Sequence, residues 1–293
     1  MDKVRSNKLA IAVMILPGLT LYIVFIIVPL FMTLGGGFFS IDLINPPVFV
    51  GFRNFTDLFN DRLFFVAINN SFQSVIIHIF LGIIPVIVVG ALLQRVKPRL
   101  QSVMTSVFLY PLVLSVVVVS IMWVNIYNPD ISPINTLFRT MGIDANPLWL
   151  SDTRFSLFLV ITTALWQWFG YGVIIVFAGI KSIPRHYMDA AYIDGAGGLQ
   201  TFFRITMPLL AEKLKVIYIF YIIGGVATFT HNMVMTNGGP GTSSLTILLH
   251  IFRTVFSAFR FGYGIAMSSV VLVICLILCI LINRFIAREK IEL

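Results

Sequence analysis

Charge is what this sequence has least of. Only 11% of its 293 residues are Asp, Glu, Lys or Arg, while 58% are hydrophobic. An ordinary soluble domain carries roughly 25% charged residues. A soluble core of this length could not hide so much apolar surface, so lipid must cover part of it. Cysteine is nearly absent as well, with Cys275 and Cys279 the only two. They share one helical face inside an apolar run, behave as small hydrophobes and, without accompanying histidines, make no metal site. Chemical motifs are missing too. There is no G-x-x-x-x-G-K-[ST] stretch to cradle ATP phosphates, no H-E-x-x-H and no G-x-S-x-G. No enzymatic activity is therefore expected of this chain, and no metal or cofactor of its own.

What is present is apolar length. A spanning helix needs about 20 apolar residues, and such runs fall near Leu9–Leu34, Ala67–Leu93, Val103–Tyr127, Phe155–Ile180, Val216–Met235 and Gly264–Phe285. They are apolar all round, whereas the strands of a membrane barrel would alternate every second residue. The expected fold is an all-α integral membrane protein with six transmembrane helices, forming one domain over residues 1–293. The first run exceeds the 7–15 residues of a signal-peptide core and lacks a small-residue cleavage site. It reads as a retained helix, punctuated by Pro17 and Pro29.

None of these runs holds Asp, Glu, Lys or Arg well inside it. Ion-coupled carriers commonly place such groups at membrane depth, at a cost of about 2.5–3.5 kcal/mol each. Only His78 and His231 could serve here, so energy must come from elsewhere or transport must be passive. Orientation follows from Lys and Arg, which concentrate on the inner side. With the N-terminus inside, six of the 20 Lys and Arg fall outside: Arg53, Arg62, Arg139, Arg154, Arg253 and Arg260. Lys3, Arg5, Lys8, Arg288 and Lys290 are among the inner ones, so both termini are expected in the cytoplasm. The net charge of +8 then reflects topology, and its scatter over short loops argues against nucleic-acid binding.

The loop over residues 181–208 is the most informative inner segment. Pro184 suits a first helical turn, and apolar residues at 187, 188, 191 and 192 form a narrow helical face. Asp194-Gly195 stops that helix, with Gly195 free to take a left-handed C′ conformation. A second short helix over about Leu199–Ile205 precedes Pro208. From the residues alone two readings stand: an amphipathic loop resting on lipid, or a docking element for another protein. Alanines at 190 and 191 permit close protein approach, and the polar face is not rich in lysine, which favours docking.

The stretch from Ser182 to Pro208 resembles the "EAA" loop of binding-protein-dependent ABC permeases. That loop runs Glu-Ala-Ala, three residues, Gly, nine residues, Ile-x-Leu-Pro. Here Asp189-Ala190-Ala191, Gly195, Ile205 and Pro208 keep every spacing, with Asp189 in place of Glu and Met207 in place of Leu. The resemblance implies that Asp189, Ala190, Ala191, Asp194, Gly195, Ile205 and Pro208 form a coupling helix and its flanks, seated on an ATPase subunit. Val50-Gly51-Phe52-Arg53-Asn54-Phe55 with Asn69-Asn70-Ser71 looks like the carbohydrate branch of the family. Thr236-Asn237-Gly238-Gly239-Pro240-Gly241 with Phe261-Gly262-Tyr263-Gly264 is similar to the maltose and glycerol-phosphate type. The type I importer permease fold is implied, with a second homologous permease, an ABC ATPase dimer and an external solute-binding protein as partners. ATP and Mg would bind on the ATPase. The cargo implied is a sugar, oligosaccharide or glycerol-phosphate-like solute, moved by alternating access in a bacterial-type inner membrane. A secondary carrier or a passive channel for a small polar solute is the alternative; the charge-free runs argue against the first, and the second would not need the docking loop.

A sugar path calls for aromatic faces and neutral hydrogen-bonding groups. Candidates are Gln167, Trp168 and Tyr171 in the fourth run and Thr228, His231 and Asn232 in the fifth. Each has a structural alternative: tryptophan as an interfacial anchor, the amides as interhelical hydrogen bonds. Gly224 and Gly225 pose the same choice between pathway lining and helix contact.

Overall fold

The apolar runs fold as helices, because in lipid every backbone polar group must be satisfied within its own segment. The structure is a computed structural model that describes residues 8–42, 44–143 and 147–286. Lys3, Arg5, Arg288 and Lys290, and both chain ends, lie outside the described residues. In order come α1 (Ile11–Gly36), β1 (Phe39–Ser40), β2 (Val48–Phe49), α2 (Arg53–Phe59), α3 (Arg62–Leu93), α4 (Pro98–Val113) and α5 (Val116–Ile126). There follow α6 (Pro133–Thr140), α7 (Ser156–Lys181), α8 (Arg185–Ile193), α9 (Gly198–Thr201), α10 (Ala211–Val226), α11 (Thr230–Met235), α12 (Ile247–Phe252) and α13 (Phe261–Ile286). Among the described residues five helical stretches are long and apolar enough to cross a membrane, and six if the α4–α5 pair is one span.

That pair departs from the single run expected over Val103–Tyr127. The chain is helical from Pro98, breaks at Leu114 and Ser115, and turns by 98° between α4 and α5. Pro111 lacks an N–H and crowds the preceding turn, so the helix ends within three residues of it. The fifth run also begins earlier than expected, at Ala211, and is interrupted between Val226 and Thr230.

Three other prolines share one device. The segments Ile23–Ile27, His78–Ile83 and Phe202–Thr206 are π-helical, and each ends two residues before a proline: Pro29, Pro85 and Pro208. A proline ring presses on the carbonyl four residues back. A wider turn moves that carbonyl aside without ending the helix. Pro17, by contrast, sits in regular α-helix.

The fold divides into two compact units. One comprises the described residues up to Asp61 together with Ile251–Val273. Within it β1 and β2 pair antiparallel, Phe39 opposite Phe49. The Asn54 amide ties the hairpin down, donating to the carbonyls of Gly37 at 2.9 Å and Phe39 at 3.0 Å. A Cβ on Gly37 would stand 3.0 Å from the Ala266 Cα, so small residues set how closely these segments pack. The Ser269 hydroxyl donates to the Thr33 carbonyl at 2.6 Å. The most apolar window of α1 has no buried residue.

The other unit comprises Arg62–His250 and the described residues from Ile274 onward. Helix α7 is its centre, packed against the C-terminal half of α3 and against α4, while α10 packs along α3 and α11 against α5. Ile83, Val86, Ile161, Val173, Val176 and Ile217 form the heart of its core. Lipid tails are as apolar as leucine, so contact here depends on close fit rather than water exclusion. Gly90 provides it: a Cβ there would lie 2.7 Å from the Val176 side chain.

Candidate functional site

The loop between α7 and α10 is built as a rigid projection. Pro184, at φ −59° and ψ 138°, precedes α8 in extended conformation. At the far end Gly195 adopts φ +71°. The Ala196 N–H donates to the Ala191 carbonyl at 2.9 Å and the Gly195 N–H to Tyr192 at 3.1 Å, the paired bonds of a Schellman cap. The Lys213 ammonium donates to the Ser182 hydroxyl at 2.8 Å, joining the two feet of the loop. Ala191 is buried within the chain, whereas Asp189, Ala190, Asp194 and Gly195 are exposed. Of the two alanines, therefore, only Ala190 is open to a partner. Tyr192 and Ile193 are 84% and 83% exposed, and Leu199 and Phe203 also stand clear. Ile205 is half-buried in the π turn and Pro208 exposed after it. A cavity of about 1000 Å³ lies beside the loop, lined by Arg95, Arg185, Tyr192, Leu199 and Phe203 among others.

A second cavity, of about 550 Å³, opens between α7 and α10. Helix α7 contributes Ala164, Leu165 and Trp168. Helix α10 contributes Val216, Phe220, Ile223 and Gly224, and His78, Thr228, Thr230 and His231 are polar residues of the lining. Trp168 and Tyr171 both pack on Phe220, with ring centroids 5.3 and 4.8 Å away. The two adjacent glycines take different roles. A Cβ on Gly225 would meet the Val75 backbone at 2.8 Å, while Gly224 has nothing within 4 Å and faces the open space.

Gln167 and Asn232 have framework partners. The Gln167 amide donates to the Leu114 carbonyl at 2.9 Å, catching the group that the α4–α5 break sets free. The Asn232 amide donates to Ser244 O at 2.9 Å. Neither lines the cavity between α7 and α10. Asn70 and Ser71, met in the sequence only as a signature, turn out to hold the segment after the Gly-Gly-Pro turn. Asn70 donates to the carbonyls of Thr242 at 2.9 Å and Leu245 at 3.0 Å, and Ser71 accepts from the Ile247 N–H at 2.9 Å. Separations of about 170 residues hid this from sequence reasoning.

Residues 86–291, which include the whole loop between α7 and α10, match the family of binding-protein-dependent transport system inner membrane components. The chain belongs to that family. The permease is 29% identical to the probable ABC transporter permease protein YurN of Bacillus subtilis, covering 99% of this chain and all of that one. It is 28% identical to the sulfoquinovosyl glycerol transport system permease protein SmoG of Agrobacterium fabrum, over 90% of this chain and 86% of the relative. Its fold matches the crystal structure of a bacterial ABC transporter involved in the import of the acidic polysaccharide alginate. The TM-score is 0.84 at 20% identity, covering 99% and 98% of the two chains. The spans and the loop thus belong to the type I importer permease fold, and the chain is an integral inner-membrane component.

Within this permease the structure brings Trp168, Thr228 and His231 to one cavity and adds His78 and Phe220 to them. Tyr171 stands behind Phe220. Phe220 carried no distinguishing sequence signal in a run of apolar residues. Ser120, which fixes His231, is likewise one serine among many valines.

Proposed function

We propose that this permease forms half of the path of an ATP-driven carbohydrate importer working by alternating access. One observation carries the mechanism: the loop bearing α8 joins the same two helices, α7 and α10, that wall the cavity. Displacement of a rigid, capped α8 therefore acts directly on the cavity walls. The exposed Ala190, Tyr192, Ile193 and Asp189 suit seating in a cleft of an ABC ATPase dimer, where ATP and Mg are bound and hydrolysed. Closure of that dimer pushes α8, and α7 and α10 shift with it. A second homologous permease would supply the other half of the path, and a solute-binding protein would deliver cargo from outside. Both termini lie in the cytoplasm, supported by the Lys and Arg distribution. The carbohydrate reading is supported by the aromatic and neutral polar cavity, by the relative named for sulfoquinovosyl glycerol and by the alginate importer.

The test is saccharide uptake into membrane vesicles holding the complete complex, with and without ATP. Ala190→Trp should obstruct docking and reduce both copurified ATPase and ATP-dependent uptake at least about tenfold, as loss of a central contact does. Normal ATPase yield and normal uptake in that variant would remove the docking claim.

A further inference from the structure

We infer that the cavity beside α8 holds the headgroup of an anionic phospholipid from the inner leaflet, with an acyl chain lying along the end of α3. This rests on the inward orientation of the loop proposed above and on nothing about the cargo.

The charge in this cavity is of one sign. Arg95, Lys181 and Arg185 line it, and no Asp or Glu does. Asp189, Asp194 and Glu212, the acidic residues of the loop and its feet, lie exposed outside its walls. Among the described residues neither Arg95 nor Arg185 has an ion-pair partner. Lys181 meets neutral groups: its ammonium donates to Gln101 Oε1 at 3.1 Å and stands 4.4 Å from the Phe177 ring centroid. Three cations around one space, with no counter-charge, draw an anion, and the cytoplasmic leaflet presents anionic headgroups at this level.

The apolar wall decides between a lipid and a soluble anion or acidic protein. Val88, Ala91 and Leu92 belong to the last turns of the spanning helix α3, and Arg95 follows just beyond its end. At 1.5 Å per residue Val88 stands about 10 Å deeper than Arg95, so the wall runs from headgroup level into hydrocarbon. Val88 and Leu92 are 49% and 53% exposed, and Phe203 of the loop is 65% exposed. An acyl chain covers such side chains at that depth, where a phosphate ion or a soluble domain would have to leave water. Of the residues suited to seating in an ATPase, Asp189, Ala190 and Ile193 do not line the cavity and Tyr192 alone does. Lipid and ATPase therefore use different faces of the loop.

The experiment uses the complete complex, stripped of lipid in detergent and titrated with phosphatidylglycerol or phosphatidylcholine, bound lipid being counted by native mass spectrometry. Phosphatidylglycerol should bind at least about tenfold more tightly. Arg95→Gln combined with Arg185→Gln should weaken its binding by about tenfold or more. The control, Arg99→Gln with Arg204→Gln, removes two exposed cations of the same side that do not line the cavity, and should stay within about twofold of wild type. Inorganic phosphate should displace no more phosphatidylglycerol than chloride does at equal ionic strength. A photoreactive phosphatidylglycerol should crosslink within residues 88–95 or 199–203 of the wild type, a readout that needs no variant. Equal affinity for the two lipids, equal loss in the control pair, specific displacement by phosphate, or crosslinks confined to other segments would each overturn the site. So would selective binding seen in the permease alone but absent from the complex, which would give the cavity to the ATPase. Each of those results leaves saccharide import standing, because uptake is measured separately in vesicles. Labelling of position 197 from outside intact cells would instead bring down the orientation and this placement together.

Discussion

Replacing Gly195 by alanine tests the coupling loop through backbone conformation alone. The residue sits at φ +71°, and a Cβ there would meet nothing within 4 Å. Steric contact thus contributes nothing, and the whole cost is that of an L-residue in the left-handed region, about 1–2 kcal/mol. If the chain keeps its geometry, the strain is borne in the docked and free states alike. If it relaxes, the bonds from Ala196 N–H and Gly195 N–H to α8 are lost, and the helix must be re-formed on docking. Because Asp194 and Gly195 are exposed, relaxation is the easier course. Docking then carries the penalty, a factor of about 5–30 in ATPase affinity. The control is Gly197→Ser, two residues on. Gly197 has φ −66° and ψ 158° and stands at the N-cap of α9, where serine is a preferred residue. Purified ATPase titrated onto the permease in nanodiscs reads both variants. Gly195→Ala should weaken binding by the stated factor, and Gly197→Ser should stay within about twofold of wild type. Wild-type affinity for Gly195→Ala, or equal damage from Gly197→Ser, would refute the claim that the left-handed cap shapes the docking surface.

Three further outcomes follow from the same geometry. Gly225→Ala forces a Cβ against the Val75 backbone and should destabilise the purified permease by about 1–3 kcal/mol, whereas Gly224→Ala, facing open space, should leave the melting temperature unchanged. Gln167→Leu strips the Leu114 carbonyl of its donor at the α4–α5 break, costing about 1–3 kcal/mol. Assembly and thermal stability should fall together with transport in that variant, and loss of transport affinity in a fully stable complex would instead put Gln167 on the substrate path. In a background lacking Cys275 and Cys279, a cysteine at position 241 should label from outside intact cells and one at 197 should not; the reverse pattern would invert the orientation.

Local physics determined much of this permease in advance. Run length alone marks where helices form, because an apolar segment of some 20 residues in lipid can only be a helix, but it did not show the bend between α4 and α5 or the break after Val226. Gly195 is legible as a cap because a stop in the apolar face is followed by the residue that tolerates positive φ. Pro29, Pro85, Pro111 and Pro208 mark where helices widen or end, since each removes an N–H and crowds the preceding turn, whereas Pro17 is accommodated in regular helix. What only the tertiary structure decided are the choices between like residues. Gly224 lines a cavity and its neighbour Gly225 a helix contact, because one helical step of about 100° turns the next Cα to another face. Gln167 and Asn232 each donate to a carbonyl that another part of the chain leaves free, while their own buried amide oxygens find no partner. The tautomer of His78 follows from the Ser74 carbonyl 2.8 Å from its Nδ1, and His231 meets Ser120 from a distant helix. A hydrogen bond is a property of two groups, and where its second group lies 53 or 111 residues away, no local pattern announces it.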